Sequence, residues 1–166
     1  MILLQVLGVP APQGSKSAMM IGGHARVIEG TSDIGRAKFR SWRHGVKTAA
    51  TDWLALNPQA PLNEPLYLHI TFRLSLPASD AYRSRHWVKP DLSKLLRSTE
   101  DALVDAGLIR DDSLVCEAHI NKRYCHGGDS PGATIRVVPL GALETMDRET
   151  LKESAQAERR RARMGQ

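Results

Sequence analysis

LYLHITFRLSL, residues Leu66–Leu76, alternates without a break. Leu66, Leu68, Ile70, Phe72, Leu74 and Leu76 fall on one side, and Tyr67, His69, Thr71, Arg73 and Ser75 on the other. A period of two in a run this rich in apolar and β-branched residues predicts a strand buried on one face only. Pro77 ends it, because proline has no N–H to give to a ladder. A half-buried strand needs a second layer over its apolar face, and the flanking segments supply one.

Upstream, Phe39, Trp42, Val46, Ala49, Ala50, Trp53 and Leu54 recur at spacings of three and four. That spacing predicts an amphipathic helix from Ile34 to Leu56, stopped by Asn57-Pro58. Its outer side is basic, with Arg36, Lys38, Arg40, Arg43 and Lys47. Downstream, Leu92, Leu95, Leu96, Thr99, Ala102, Leu103 and Ala106 form the buried stripe of a second helix, and Gly107 falls where a left-handed cap belongs. Ile2–Val9, a short Arg26–Glu29, Ser113–Tyr124 and Ala133–Val138 read as further strands, the last two joined by the turn HGGDSPG. Pro10–Ser17 reads as an extended loop and Ala78–Val88 as a mobile, basic surface loop. The expectation is an α+β fold in two layers, with two main helices on a mixed sheet of about four to five strands. One domain spans residues 1–143, followed by a charged tail over 144–166 whose RRRAR run is read as solvated.

Composition narrows the function. At 42% hydrophobic residues the chain can build a core, so wholesale disorder is excluded. No apolar run approaches the roughly 20 residues of a membrane span, and the apolar start has no basic leader. Cys116 and Cys125 lack zinc-ligand spacing and read as free thiols of a cytoplasmic protein. A net charge of +5 favours a polyanionic partner, nucleic acid first. The few scattered aromatics do not suggest a base-stacking platform.

The chemistry concentrates in KPDLSKLLR, Lys89–Arg97. Pro90 disfavours helix at Lys89, so the helix starts after it and Asp91 is the natural N-cap. Lys89, Lys94 and Arg97 surround that acid, and with the positive helix end they suit a phosphate. Just beyond the helix, Asp111 and Asp112 are adjacent like charges that repel unless a cation lies between them. Mg²⁺ takes one or two carboxylates with waters and substrate oxygens, so these parts suit metal-assisted phosphodiester cleavage. Lys16 in QGSK, Arg83, Arg85 and Lys122 are further phosphate-contact candidates, alongside Lys89 and Lys94.

The run KPDLSKLLRSTEDALVDAGLIRDDSLV, with Lys122 ten residues past Asp112, resembles the RusA-type Holliday junction resolvases. The likeness extends to GVPAPQGSK and FRSWRHGVKTAA, covering roughly residues 5–140. It implies a homodimeric endodeoxyribonuclease, dependent on Mg²⁺ with Mn²⁺ as a substitute. Such an enzyme nicks four-way and other branched DNA in recombination, repair or phage DNA processing, in bacterial or phage-infected cytoplasm and without a membrane. By the same resemblance Asp91 and Asp112 are catalytic metal ligands and Asp111 is the acid beside them. Arg97 stands where the family has a catalytic lysine, and it keeps the charge but cannot give up a proton at neutral pH. Ser93 stands where the family's second D-x-D aspartate is expected. The alternative is a non-catalytic branched-DNA binder that lost cleavage through Ser93. Glu100 and Asp101 could supply the missing charge but lie too far along the helix for easy reach of Asp91. The helix carries the chain about 22 Å from Asp91, and five or six extended residues return roughly 17–20 Å. Both a site within one chain and a site shared across a dimer stay open on that estimate.

Overall fold

The computed structural model describes residues 1–14, 16–22, 24–29, 32–77 and 85–143. Arg83 and the tail over 144–166 lie outside the described residues. The elements in order are β1 (Ile2–Leu7), β2 (Lys16–Ile21), β3 (His24–Glu29), α1 (Asp33–Leu56), β4 (Leu66–Leu74), α2 (Leu92–Asp105), β5 (Val115–Tyr124), β6 (Gly132–Pro139) and the short α3 (Leu140–Leu143). A 3₁₀ turn, Asp112–Leu114, precedes β5. No described helix is long and apolar enough to cross a membrane.

The main sheet runs β1-β6-β4-β5. β6 is antiparallel to both β1 and β4, whereas β4 and β5 are parallel. The sheet is therefore mixed, and α2 is the crossover between the parallel pair. Leu66, Leu68, Ile70 and Phe72 are fully buried and share one core with Ile135 and Val137 of β6 and Val6 of β1. Trp42, Val46 and Ala50 of α1 and Leu95, Ala102 and Leu103 of α2 close over the same face. Each of the leucine, isoleucine, valine and phenylalanine side chains contributes about 1.5–3 kcal/mol on burial. The two-layer α+β expectation thus holds, with two main helices on a four-stranded sheet.

The caps explain where the helices begin and end. Ser32 accepts a hydrogen bond from Gly35 N at 3.2 Å to start α1, and Asn57 donates to Trp53 O at 3.0 Å at its end. α2 closes on Gly107, whose φ of +72° is readily reached only by glycine. Gly107 N donates to Val104 O at 2.9 Å and Leu108 N to Leu103 O at 3.1 Å, the paired bonds of a Schellman ending. Leu108 is then buried, and Leu62 N and Arg110 N exchange bonds with Leu108 O and Leu62 O to anchor the exit. That exit aims the chain at Asp111 and Asp112.

Three local expectations change. The short strand at Arg26–Glu29 is half of a hairpin, and its partner β2 starts at Lys16, inside the segment read as a loop. Ser113 belongs to the 3₁₀ turn, not to a strand. Residues 85–88, read as the end of a mobile loop, lie along the outer edge of β5: Arg85 bridges Arg123, and His86 is buried.

Candidate active site

The amino end of α2 is built by packing on both sides. Lys89–Pro90 is a cis peptide, and Asp91 follows at the N-cap position in extended conformation, φ −69° and ψ 138°. Its carboxylate makes no cap hydrogen bond. It lies instead 3.5 Å from Lys94 Nζ, half exposed. The buried Ser98 hydroxyl donates to Ala11 O at 2.9 Å, and Gln13 N donates to Lys94 O at 3.3 Å. The amino-terminal loop is thereby docked on the first turns of α2. Lys16 follows as the first residue of β2; its side chain lies outside what the structure describes.

Lys122 reaches the same end of α2 from β5. Its ammonium donates to Val88 O at 2.6 Å and to Pro90 O at 2.7 Å. Burial lowers the Lys122 pKa, and the negative charge of Asp91 works against that shift. An exposed carboxylate that leaves the helix end uncapped, with two ammonium groups near it, is placed for charge chemistry more than for capping.

The second acidic group forms farther along α2. Asp111 accepts a hydrogen bond from Ser113 N at 2.9 Å. Contacts from the Ser113 side chain and backbone hold its carboxyl below the ordinary aspartate range. Asp111 is thus committed to the turn, while Asp112 is exposed beside it. Glu100, half-buried on α2, is pushed up to about 7 by burial first, then by the charges of Asp112 and Asp101, with Arg97 opposing. Asp112 therefore returns within one chain as far as Glu100, roughly 14 Å along the helix from position 91. Arg43 of α1 pairs with Asp101 at 3.6 Å and with Asp105. These residues line a shallow cavity of about 210 Å³ with Val104, Asp111 and Asp112.

The candidates thus fall in two groups: Asp91, Lys94 and Lys122 at the start of α2, and Asp112, Glu100 and Arg97 farther along. Among the described residues no three of His, Cys, Asp and Glu converge as a ready ligand set. The donor chemistry still fits a hard divalent cation, which needs only one or two carboxylates. Burial first and then the charge of Asp112 raise the Glu100 pKa, and a cation beside Asp112 would relieve the second of these. Arg85, Lys89 and Arg97 are exposed around these groups.

Glu100 lies far from Asp91 along the helix, yet it feels the charge of Asp112. The pattern carried a usable signal, because Ser93, Arg97 and Glu100 are spaced four and three apart and share one helical face. Ser93 is exposed at the amino end of that face. The grip of Lys122 on two carbonyls carried no sequence signal.

The sequence profile of the family described as Endodeoxyribonuclease RusA matches residues 25–138, more than half of the chain and all of α1, β4, α2 and β5. No curated protein matches the chain.

Proposed function

Since the chain belongs to the RusA endodeoxyribonuclease family, we propose that it resolves Holliday junctions and other branched DNA by Mg²⁺-dependent nicking. It works as a homodimer, because a four-way junction has two equivalent strands to cut about a two-fold axis. Its place of action is the cytoplasm, in recombination, repair or phage DNA processing. The observation that carries this reading is Asp91: a carboxylate at a helix start that declines to cap the helix and lies among cations.

Asp91 and Asp112 are the carboxylates that would hold metal. One chain sets them in separate groups along α2, so a shared ion would need the two groups brought together across the homodimer. When bound, Mg²⁺ polarises the scissile phosphate and lowers the pKa of its water. The chain's own side chains position the DNA and balance charge. Lys89, Lys94 and Arg85 grip backbone phosphates, aided by the positive end of α2. Arg97 stabilises the charge that builds on the phosphate, and its fork suits two phosphate oxygens. It moves no proton. Ser93 places a hydroxyl where a carboxylate would add charge, so metal affinity rests on fewer acids.

A labelled synthetic four-way junction incubated with the protein and Mg²⁺ or Mn²⁺ tests the reading. Paired symmetric nicks that disappear in EDTA support it. Tight binding with no nicks under either metal refutes it in favour of a DNA binder.

A further inference from the structure

Residues 85–90 form a strap that runs along the open edge of β5 and delivers Asp91 to the start of α2. Among the described residues β5 is the last strand of the sheet, and no other strand lies along its outer edge. The strap is pinned at successive points. Arg85 bridges Arg123 antiparallel. The His86 ring packs against Tyr124 at 4.8 Å between centroids, and both rings are buried. The Lys122 ammonium takes the Val88 and Pro90 carbonyls at 2.6 and 2.7 Å.

The last of these pins matters most. Pro90 O is one peptide from Asp91, so a bond at that carbonyl fixes the peptide plane from which Asp91 springs. An ammonium has three donors, and two are spent on these carbonyls. Charge-assisted bonds of this length are the strong kind. The side chain is partly buried by the strap, so it is poorly placed to serve as a free phosphate ligand.

We infer that Lys122 is a positioning residue: by clamping the Val88 and Pro90 carbonyls it sets the direction of the Asp91 carboxylate for metal binding. The metal role of Asp91 is taken from the functional reading above, and the test separates the two. Competing roles for Lys122 predict different signs. If it acts on Asp91 only as a neighbouring positive charge, its removal tightens cation binding. If it contacts DNA phosphate, its removal lowers the salt slope of junction binding by about one.

The experiment compares wild-type protein, Lys122→Met, Lys122→Arg and Asp91→Asn. Amide exchange is followed over residues 86–91, with β4 as the folding control, and Mn²⁺ affinity is measured without DNA. Lys122→Met should speed exchange in the strap roughly tenfold while β4 stays protected. It should also weaken Mn²⁺ binding roughly tenfold, the size of effect seen when a group orienting a metal ligand is lost. Lys122→Arg, which keeps charge and donors, should recover most of both. If Lys122→Met also exposes β4, the shorter Lys122→Leu, likewise without a donor, carries the same comparison. Unchanged strap exchange overturns the inference, as does unchanged or tighter Mn²⁺ binding where Asp91→Asn abolishes it. If Asp91→Asn binds Mn²⁺ as wild type does, the metal role of Asp91 fails, and strap exchange alone judges the clamp.

Discussion

Replacing Glu100 by glutamine should change how stability depends on pH. Burial and the charges of Asp112 and Asp101 raise the Glu100 pKa from 4.5 to about 7. Between those values the folded protein holds a proton on Glu100 that the unfolded chain releases, so stability falls as pH rises through the window. The whole interval, at about 1.4 kcal/mol per pH unit, sets a ceiling of about 3.5 kcal/mol. Glu100 is only half-buried, and solvent screening reduces this to about 1–2 kcal/mol. Glu100→Gln cannot ionise. It should therefore match wild type below about pH 4.5 and exceed it by about 1–2 kcal/mol above pH 7. Urea unfolding at intervals from about pH 4 to 8 in EDTA reads the difference directly. Added Mg²⁺ should flatten the wild-type slope, because a cation near Asp112 makes the charged form of Glu100 less costly. Parallel pH curves for the two proteins would refute the raised Glu100 pKa and the burial and acidic neighbours held to cause it.

Other outcomes follow from the same geometry. Arg97→Ala should lower cleavage on the order of 10²-fold, and Arg97→Lys should retain most of the rate, since charge is what the position supplies; equal losses in single-turnover cleavage would contradict this. Ser93→Asp should lower the Mg²⁺ concentration needed for half-maximal cleavage, and an unchanged metal requirement would show that position 93 does not reach the ion. Phe72→Ala empties a fully buried position facing Trp42, whose ring centroid is 6.1 Å away. It should cost about 3–5 kcal/mol in denaturant unfolding.

The layer structure was legible because it follows from periodicity. The alternation of Leu66–Leu74 requires a covered face, and the stripes of α1 and α2 are the faces that cover it. Pro90 and Gly107 marked the ends of α2 for steric reasons that act within a few residues. The β2–β3 hairpin was missed even though Gly22-Gly23, between Ile21 and His24, is a two-residue turn signal. Its strands lack a clean apolar alternation, so the turn was the only cue. The candidate site was legible as residue types but not as partnerships. The charge of Asp112 reaches Glu100 because the Schellman ending and the Leu62 bridge turn the chain back along α2. Lys122 meets Pro90 because β5 runs parallel to β4 and so ends beside the start of α2. Both depend on the crossover, and no local spacing encodes it. Asp111 shows the reverse: adjacent acids look equivalent in sequence, yet one is spent on Ser113.

The account stands on Asp91 and Asp112 acting in cutting more than in holding DNA. Asp91→Asn and Asp112→Asn should each be measured for four-way junction affinity in EDTA and for single-turnover cleavage in Mg²⁺. The account predicts junction affinity equal to or tighter than wild type, because a negative charge beside phosphate has been removed, with cleavage reduced roughly 10³-fold or more. Wild-type cleavage by either variant, or loss of cleavage matched by an equal loss of binding, would contradict it.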